Sequence, residues 1–141
     1  MPQIRLLTAL LYFLLSGLGC SSTPAEPKTY PVVGKLTIDG KPLANAKVIF
    51  VPDAEKANTS TKEPRGTTDA TGTFTITTDD QPGCTPGTYK ATVFAMIDRS
   101  GEFKSPIWLA PLRYTDAKTS GLSVSVVETP TPGQYDLNLK P

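Results

Sequence analysis

The feature that most constrains the fold of this chain is a repeated alternation of apolar and polar residues in short segments. From Thr29 onward these segments are rich in Thr and Val and are separated by Gly, Pro and Asp. A period of two places successive side chains on opposite faces of a strand, whereas an amphipathic helix needs a period near 3.6. The helical period does not recur after Thr29, so the sequence predicts an all-β fold.

The alternation also predicts which residues face the core. The predicted inward sets are Val32, Gly34, Leu36 and Ile38; Ala46, Val48 and Phe50; Phe74 and Ile76; Tyr89, Ala91, Val93, Ala95 and Ile97; Leu122, Val124 and Val126; and Tyr135, Leu137 and Leu139. Asp39-Gly40 predicts a tight hairpin, and the segment from Asp69 to Gly72 predicts a turn. Residues 53–64 and 79–87 are predicted loops, and 99–119 gives no strand assignment. About seven strands favour a two-sheet sandwich over a barrel.

The first twenty residues predict export. Arg5 precedes an apolar run from Leu6 to Leu15, which is too short for a spanning helix and is typical of a secretory signal. The cleavage region, with Gly19 before Cys20, resembles the lipobox of bacterial lipoproteins, which implies that Cys20 is lipidated and becomes the mature N-terminus. Secretion with an unmodified Cys20 and an uncleaved membrane anchor are the alternatives.

These features divide the chain into three parts. Residues 1–19 are the predicted signal peptide, 20–29 are a proline-containing tether that begins at the lipidated cysteine, and 30–141 are one β-sandwich domain. The predicted location is extracytoplasmic, at the cell envelope, on the periplasmic side or the cell surface. The partner predicted by the anchor is the membrane itself, because buried acyl chains hold a soluble domain at a bilayer.

Charge and histidine content exclude several functions. Lys and Arg total 14 against 13 Asp and Glu, and Arg5 lies in the predicted signal peptide, so the remaining side chains balance. A balanced surface without basic clusters argues against nucleic acid as a partner. The chain has no histidine, which removes Ser-His-Asp and Cys-His catalysis and histidine-bound zinc. We therefore predict no enzyme activity, no cofactor and no metal.

Three sequence blocks resemble carboxypeptidase regulatory-like domains, which have a transthyretin-like sandwich fold. That resemblance implies a scaffold or interaction domain and transfers no peptidase activity. The histidine-dependent hydrolases of the transthyretin-like fold have no counterpart here. A fourth block resembles small bacterial lipoproteins built on this domain. The blocks are Gly34–Leu36 with Asp39–Val48, Thr68–Phe74, Pro86–Val93, and Arg113–Asp116 with Thr119–Leu122.

A few residues suggest chemistry, and each has a simpler interpretation. Cys84 is interpreted as a loop thiol or a link to another chain rather than a nucleophile, because no histidine or basic cluster would lower its pKa. Asp79 and Asp80 offer calcium ligands but fit a solvated turn better, as Asp69 does. An aromatic platform for a sugar or peptide is the other candidate, with core packing as its alternative; its members are Trp108, Tyr114, Phe103 and Tyr89.

Together these observations predict a non-catalytic structural or protein-interaction domain at the cell envelope. The alternative is a domain that binds carbohydrate or peptide, with Trp108 and Tyr114 as the contact residues. A histidine-free enzyme is the third possibility, and it requires a concave pocket with convergent carboxylates or a Lys-Ser pair. An exposed apolar patch of more than a few hundred Å² would favour a binding domain.

Overall fold

The structure is a computed structural model that describes residues 24–99, 101 and 104–141, and it is an all-β sandwich. The described residues contain twelve strands, two short 3-10 helices and no α-helix. The strands are β1 Val33–Ile38, β2 Lys41–Pro42, β3 Lys47–Pro52, β4 Arg65–Thr67, β5 Thr73–Thr75, β6 Thr77–Thr78, β7 Gln81–Pro82, β8 Gly87–Phe94, β9 Met96–Ile97, β10 Ile107–Trp108, β11 Ser123–Val126 and β12 Leu137–Leu139; the 3-10 helices are Ala54–Lys56 and Leu112–Thr115. Seven of these strands have three residues or more, so the number of strands depends on how the two-residue segments are counted.

The smaller sheet is built around β1. It has the order β12-β1-β2, and β5 also pairs with β1. β12 runs parallel to β1, with Leu36 opposite Leu137, while β2 and β5 are antiparallel to it. The first and last strands of the domain are therefore neighbours.

The larger sheet has the order β11-β8-β3-β4-β6-β7, with antiparallel pairs throughout. Its centre is the β3–β8 pair, which extends from Lys47 opposite Phe94 to Pro52 opposite Tyr89. After Ile76 the chain passes from β5 in the smaller sheet to β6 in the larger one, so the two sheets are covalently linked across the core.

The core lies between the two sheets and confirms most of the predicted inward sets. Its fully buried side chains come from both sheets and include Val32, Leu36, Val48, Phe50, Phe74, Ile76, Tyr89 and Val93. Phe50 of the larger sheet meets Phe74 of the smaller sheet edge to face at 6.5 Å between ring centroids. It also lies against Tyr89 on its own sheet at 5.9 Å. These three rings fill the middle of the sandwich.

The predicted turns are confirmed. Asp39 and Gly40 both have positive φ, 50° and 75°, and Ile38 pairs with Lys41 across the turn. In the second turn the Asp69 carboxylate accepts hydrogen bonds from the backbone N–H of Thr71 at 2.8 Å and of Thr73 at 3.0 Å. The hydroxyl of Thr71 also donates to this carboxylate. That bond is the largest reason why the pKa of Asp69 lies below its usual value, and the two backbone bonds lower it further.

Two predicted loops contain more structure than expected. The segment 53–64 includes the helix Ala54–Lys56, which is capped by the buried Asp53: its carboxylate accepts from the backbone N–H of Glu55 at 3.2 Å. The segment 79–87 was predicted to be a loop throughout, and that was wrong. β6 and β7 form a hairpin through Asp79 and Asp80, which both adopt positive φ without a glycine.

One predicted inward position was also wrong. Ile97 was expected to share the buried face of Tyr89 and Ala95, but its side chain is 51% exposed. The pairing of β8 with β3 stops at Phe94, which lies opposite Lys47, the first residue of β3. The chain beyond Ala95 therefore leaves the sandwich. That departure leaves the apolar side chains of Met96 and Ile97 exposed.

Candidate interaction surface

After the longest strand the chain leaves the sandwich as a two-stranded ribbon. β9 and β10 are antiparallel, with Ile97 opposite Ile107 and Met96 opposite Trp108. The ribbon is joined to the core at its base, where the amide of Leu109 donates to the carbonyl of the buried Ala95 at 2.9 Å. The ribbon therefore has a fixed base and two free faces.

Both faces of this ribbon carry large apolar side chains. Residues directly opposite in an antiparallel pair share a face, so Met96 and Trp108 lie on one face and Ile97 and Ile107 on the other. Their exposed fractions are 48%, 38%, 51% and 46%, and the following leucines at 109 and 112 are 38% and 56% exposed. We define the apolar ribbon as these six residues: Met96, Ile97, Ile107, Trp108, Leu109 and Leu112.

The apolar ribbon presents on the order of 500 Å² of apolar surface, since each side chain offers about 200 Å² when fully exposed and shows roughly half of it. The largest apolar patch on a typical monomer covers about 300–600 Å² and is often functional. A two-stranded ribbon cannot bury these side chains within itself, because each face is one side chain deep. The surface therefore suits contact with another molecule.

The base of the ribbon is held by the C-terminal strand. The Tyr114 hydroxyl accepts from the amide of Lys140 at 2.9 Å and donates to its carbonyl at 3.2 Å. The Arg113 guanidinium lies over the Tyr114 ring, 4.7 Å from its centroid, and donates to the same carbonyl at 2.8 Å. These contacts fix the segment that follows Leu109 and so limit movement of the ribbon.

A shallow groove of about 330 Å³ adjoins the ribbon on the outer face of the larger sheet. Ile49 and Phe94 lie on its floor, and Met96 belongs to both the groove and the apolar ribbon. The apolar surface therefore continues from the ribbon onto the sandwich.

The apolar ribbon and the predicted tether lie at opposite ends of the sandwich. The backbone of Tyr30 pairs with that of Cys84, just before β8 begins at Gly87, whereas the ribbon starts just after β8 ends at Phe94. Eight strand residues span about 26 Å. Attachment of the chain through its N-terminal segment therefore leaves the ribbon uncovered.

The predicted aromatic platform is not assembled among the described residues. Trp108 is at the surface, but Tyr114 is buried with 5% exposure and Tyr89 is fully buried, its hydroxyl paired with Thr85 at 2.8 Å. Phe103 lies outside the described residues. The rings of Tyr114 and Tyr89 follow the core-packing alternative, and the residue opposite Trp108 in the ribbon is Met96.

The ribbon's aliphatic residues were missed by sequence reasoning. Ile107, Leu109 and Leu112 lie in the region that gave no strand assignment, because Pro106 and Pro111 interrupt any period there. The signal that could have identified them is the run of large apolar residues between the two prolines. Such a run lacks the alternation that would place every second side chain in the core.

A second cavity, of about 790 Å³, lies at the tether end, between residues 26–29 and the loop around Asn58. Several of its polar groups bond to other protein groups. The Asn58 amide donates to the carbonyl of Thr88 at 2.9 Å and accepts from the amide of Ser60 at 3.1 Å, and Lys62 forms an ion pair with Asp79. Every buried side-chain polar atom in the described part of the chain has a partner.

The two carboxylates considered for calcium occupy a surface turn. Asp79 pairs with Lys62, and Asp80 occupies the next turn position with positive φ. Within residues 24–99, 101 and 104–141, no three His, Cys, Asp or Glu side chains lie close enough to hold a metal ion.

Cys84 lies in the loop between β7 and β8, as predicted, but its side chain is fully buried in the core and so is not placed to link to another chain. Burial raises the pKa of the thiol to about 12, against a smaller lowering by a hydrogen bond with Tyr89. The thiolate is the reactive form, so this side chain is inert in the folded protein.

We expect Cys84 to resist alkylation at pH 8 in the folded protein and to react fully once the chain is unfolded. The experiment uses a Cys20→Ser chain, which leaves one thiol, and measures labelling by iodoacetamide with and without 6 M guanidinium by mass. Comparable labelling rates in both conditions would show that the thiol is exposed.

Comparisons with protein-family models, with curated proteins and with solved structures find no match. Gly19 and Cys20 lie outside the described residues, so lipidation stays a prediction. Across the described ranges, none of the helical segments has the length and apolar character needed to cross a bilayer.

Proposed function

We propose that this chain is a lipid-anchored, extracytoplasmic β-sandwich that acts as a non-catalytic protein-interaction domain at the cell envelope. The observation that carries the proposal is the apolar ribbon, which exposes large side chains on both faces of a fixed support. Exposed apolar side chains clustered in this way on a soluble domain are often part of interaction sites.

The anchor is the second part of the proposal. Its support is the signal-like segment followed by Gly19 and Cys20, together with the position of the ribbon at the end remote from the tether. An anchored domain would then hold its interaction surface clear of its own attachment point.

We also propose that the domain is related to the carboxypeptidase regulatory-like sandwiches. The support is that the resembling blocks coincide with structural units: the β1–β2 hairpin, the turn between β4 and β5, and the start of β8. The complete lack of histidine supports the non-catalytic part of the proposal.

A protein partner is favoured over a glycan by the composition of the apolar ribbon. Trp108 is its single aromatic residue, and the residues around it are Met, Ile and Leu, which have no hydrogen-bonding groups for sugar hydroxyls. Aliphatic and aromatic side chains together are typical of the centre of a protein interface.

The interaction is tested by photo-crosslinking in intact cells. Benzoylphenylalanine replaces Ile97 in the full chain, and the matched control replaces Val33, which is equally exposed at 55% but lies on β1. We expect a discrete adduct to another polypeptide from position 97 only, and its loss when Trp108→Ser is added. Absence of a specific adduct at position 97 would contradict the proposal.

The anchor is tested separately by Cys20→Ser. We expect this substitution to abolish acyl labelling and to move the protein from the membrane fraction to the aqueous fraction, because two or more acyl chains hold a soluble domain almost irreversibly. Mass spectrometry of the unaltered mature chain should show an acylated N-terminal Cys20. Recovery of the unaltered chain in the aqueous fraction, with a free Cys20, would refute lipidation.

A further inference from the structure

The apolar ribbon has a free backbone edge as well as free faces. Within the described part of the chain, β10 pairs only with β9. Backbone groups along an antiparallel pair alternate between pointing at the partner and pointing away. Because the amide of Leu109 is bonded to the carbonyl of Ala95, the N–H and C=O of Trp108 point outward from the ribbon. Exposed strand edges are templates for a further strand.

The geometry points to a second copy of this chain as the occupant of that edge; this inference rests on the proposed interaction function and specifies its partner. Two antiparallel β10 strands would meet across a two-fold axis at Trp108, where each copy donates one hydrogen bond and accepts one. Ile107 would then lie opposite Leu109 of the other copy. The result is a four-stranded sheet with the order β9-β10-β10-β9.

β10 has apolar side chains on both faces, and this favours a second copy of β10 as its partner over an ordinary strand. A strand added to this edge lies beside β10, so it must offer apolar side chains on both faces to contact Trp108 on one face and Ile107 and Leu109 on the other, whereas most antiparallel strands have one polar face. β10 itself is such a strand, because Trp108 extends to one side and Ile107 and Leu109 to the other. Symmetric pairing makes the surface self-complementary.

The bounds of the edge agree with a weak dimer. Pairing at this edge brings Ile107, Trp108 and Leu109 of one copy beside those of the other and leaves Met96 and Ile97 of β9 uncovered, so the interface is smaller than that of a stable dimer. Pro106 has no N–H to donate, so it ends the ladder two residues from the axis and prevents extended strand pairing. Anchoring of both copies in one membrane would raise their effective concentration and favour the pair.

The arrangement also fits the position of the tether. Antiparallel pairing sends the two sandwiches in opposite directions from the shared sheet, with the two tethers at the far ends. The end of each predicted tether lies against the sandwich, where Thr29 donates to the carbonyl of Pro82 and Lys28 pairs with Glu128, so the preceding residues 21–26 reach about 19 Å when extended. Both anchors can therefore enter the same bilayer while the shared sheet lies between them.

The test uses register-specific disulfide formation between differently tagged full-length copies in native membranes. One copy carries Ile107→Cys and the other Leu109→Cys; in the proposed register these residues are directly opposite, about 4.5 Å apart at Cα. Two Ile107→Cys copies would be diagonal neighbours at about 7–8 Å, near the limit for a disulfide. We expect mild oxidation to produce at least five times more mixed dimer than like-with-like dimer.

Four outcomes are decisive. Predominant mixed dimer, lost when Trp108→Asp is added to both copies, supports the inference. Equal yields of mixed and like dimers, or no dimer, overturn it. If no dimer forms while position 97 still photo-crosslinks to a different protein, the second-copy inference fails and the interaction function stands; if neither product forms, both fail.

Discussion

Replacing Phe50 with alanine is expected to lower the free energy of unfolding by about 4 kcal/mol, the usual loss for a buried phenylalanine. Phe50 is fully buried on β3, and its ring contacts Phe74 from the opposite sheet and Tyr89 from its own sheet. Its removal leaves a cavity between two β-sheets whose backbones are held by their ladders and cannot close around it.

A domain of this size has a total stability of about 5–15 kcal/mol, so this one change removes a large share of it. Urea denaturation followed by circular dichroism measures the loss, and the melting temperature should fall by about 10–20 °C. The matched control is Val33→Ala, which truncates an exposed side chain on β1 and should change stability by less than about 0.5 kcal/mol. Similar effects of the two substitutions would mean that Phe50 is not at the centre of the core.

The sequence predicted most of this core because strand faces follow directly from period two. Val48 and Phe50 are buried as expected, and so are Leu137 and Leu139. Local turn chemistry was equally readable where an Asp-Gly pair supplies positive φ, as at Asp39-Gly40. The Asp79–Asp80 hairpin was missed because its turn adopts the same conformation without glycine.

Pairings between distant segments were not readable from any local pattern. Tyr30 and Cys84 exchange backbone hydrogen bonds at 2.9 and 3.1 Å, although 53 residues separate them in a sequence that shows no matching strand pattern at Cys84. The parallel contact of β12 with β1 likewise joins the two ends of the domain. Such contacts depend on the whole topology, so a single sequence segment contains no signal for them.

The apolar ribbon was only partly predictable, for a related reason. Trp108 was a candidate because an isolated tryptophan is conspicuous, but Ile97 continued an alternation that predicts burial. Alternation reports which side chains share a face and not whether another sheet covers that face. Beyond Phe94 the pairing of β8 with β3 has ended, and the side chains of Met96 and Ile97 are exposed although they continue the same pattern.

Gly34→Ala is the second substitution for which we expect a large effect, a loss of about 3 kcal/mol or more. Gly34 has ordinary strand geometry, so its backbone conformation does not require glycine. The constraint is space, since a Cβ at this position would overlap the backbone carbonyl oxygen of Tyr135 and lie 2.6 Å from Cζ of Phe74. The carbonyl belongs to the chain entering β12 and cannot move without disturbing the parallel pair of β1 and β12.

The control for Gly34→Ala is Gly40→Ala, which separates crowding from backbone strain. Gly40 has a φ of +75° with nothing within 4 Å of an added Cβ. Alanine there should therefore lower the free energy of unfolding only by the strain of the left-handed conformation, about 1 kcal/mol. Urea denaturation ranks the two variants, and hydrogen exchange should show the amides of β12 losing protection first in Gly34→Ala. Equal losses in both variants would mean that β12 does not lie against Gly34. A larger loss at Gly34 supports the close approach that joins the last strand of the domain to the first.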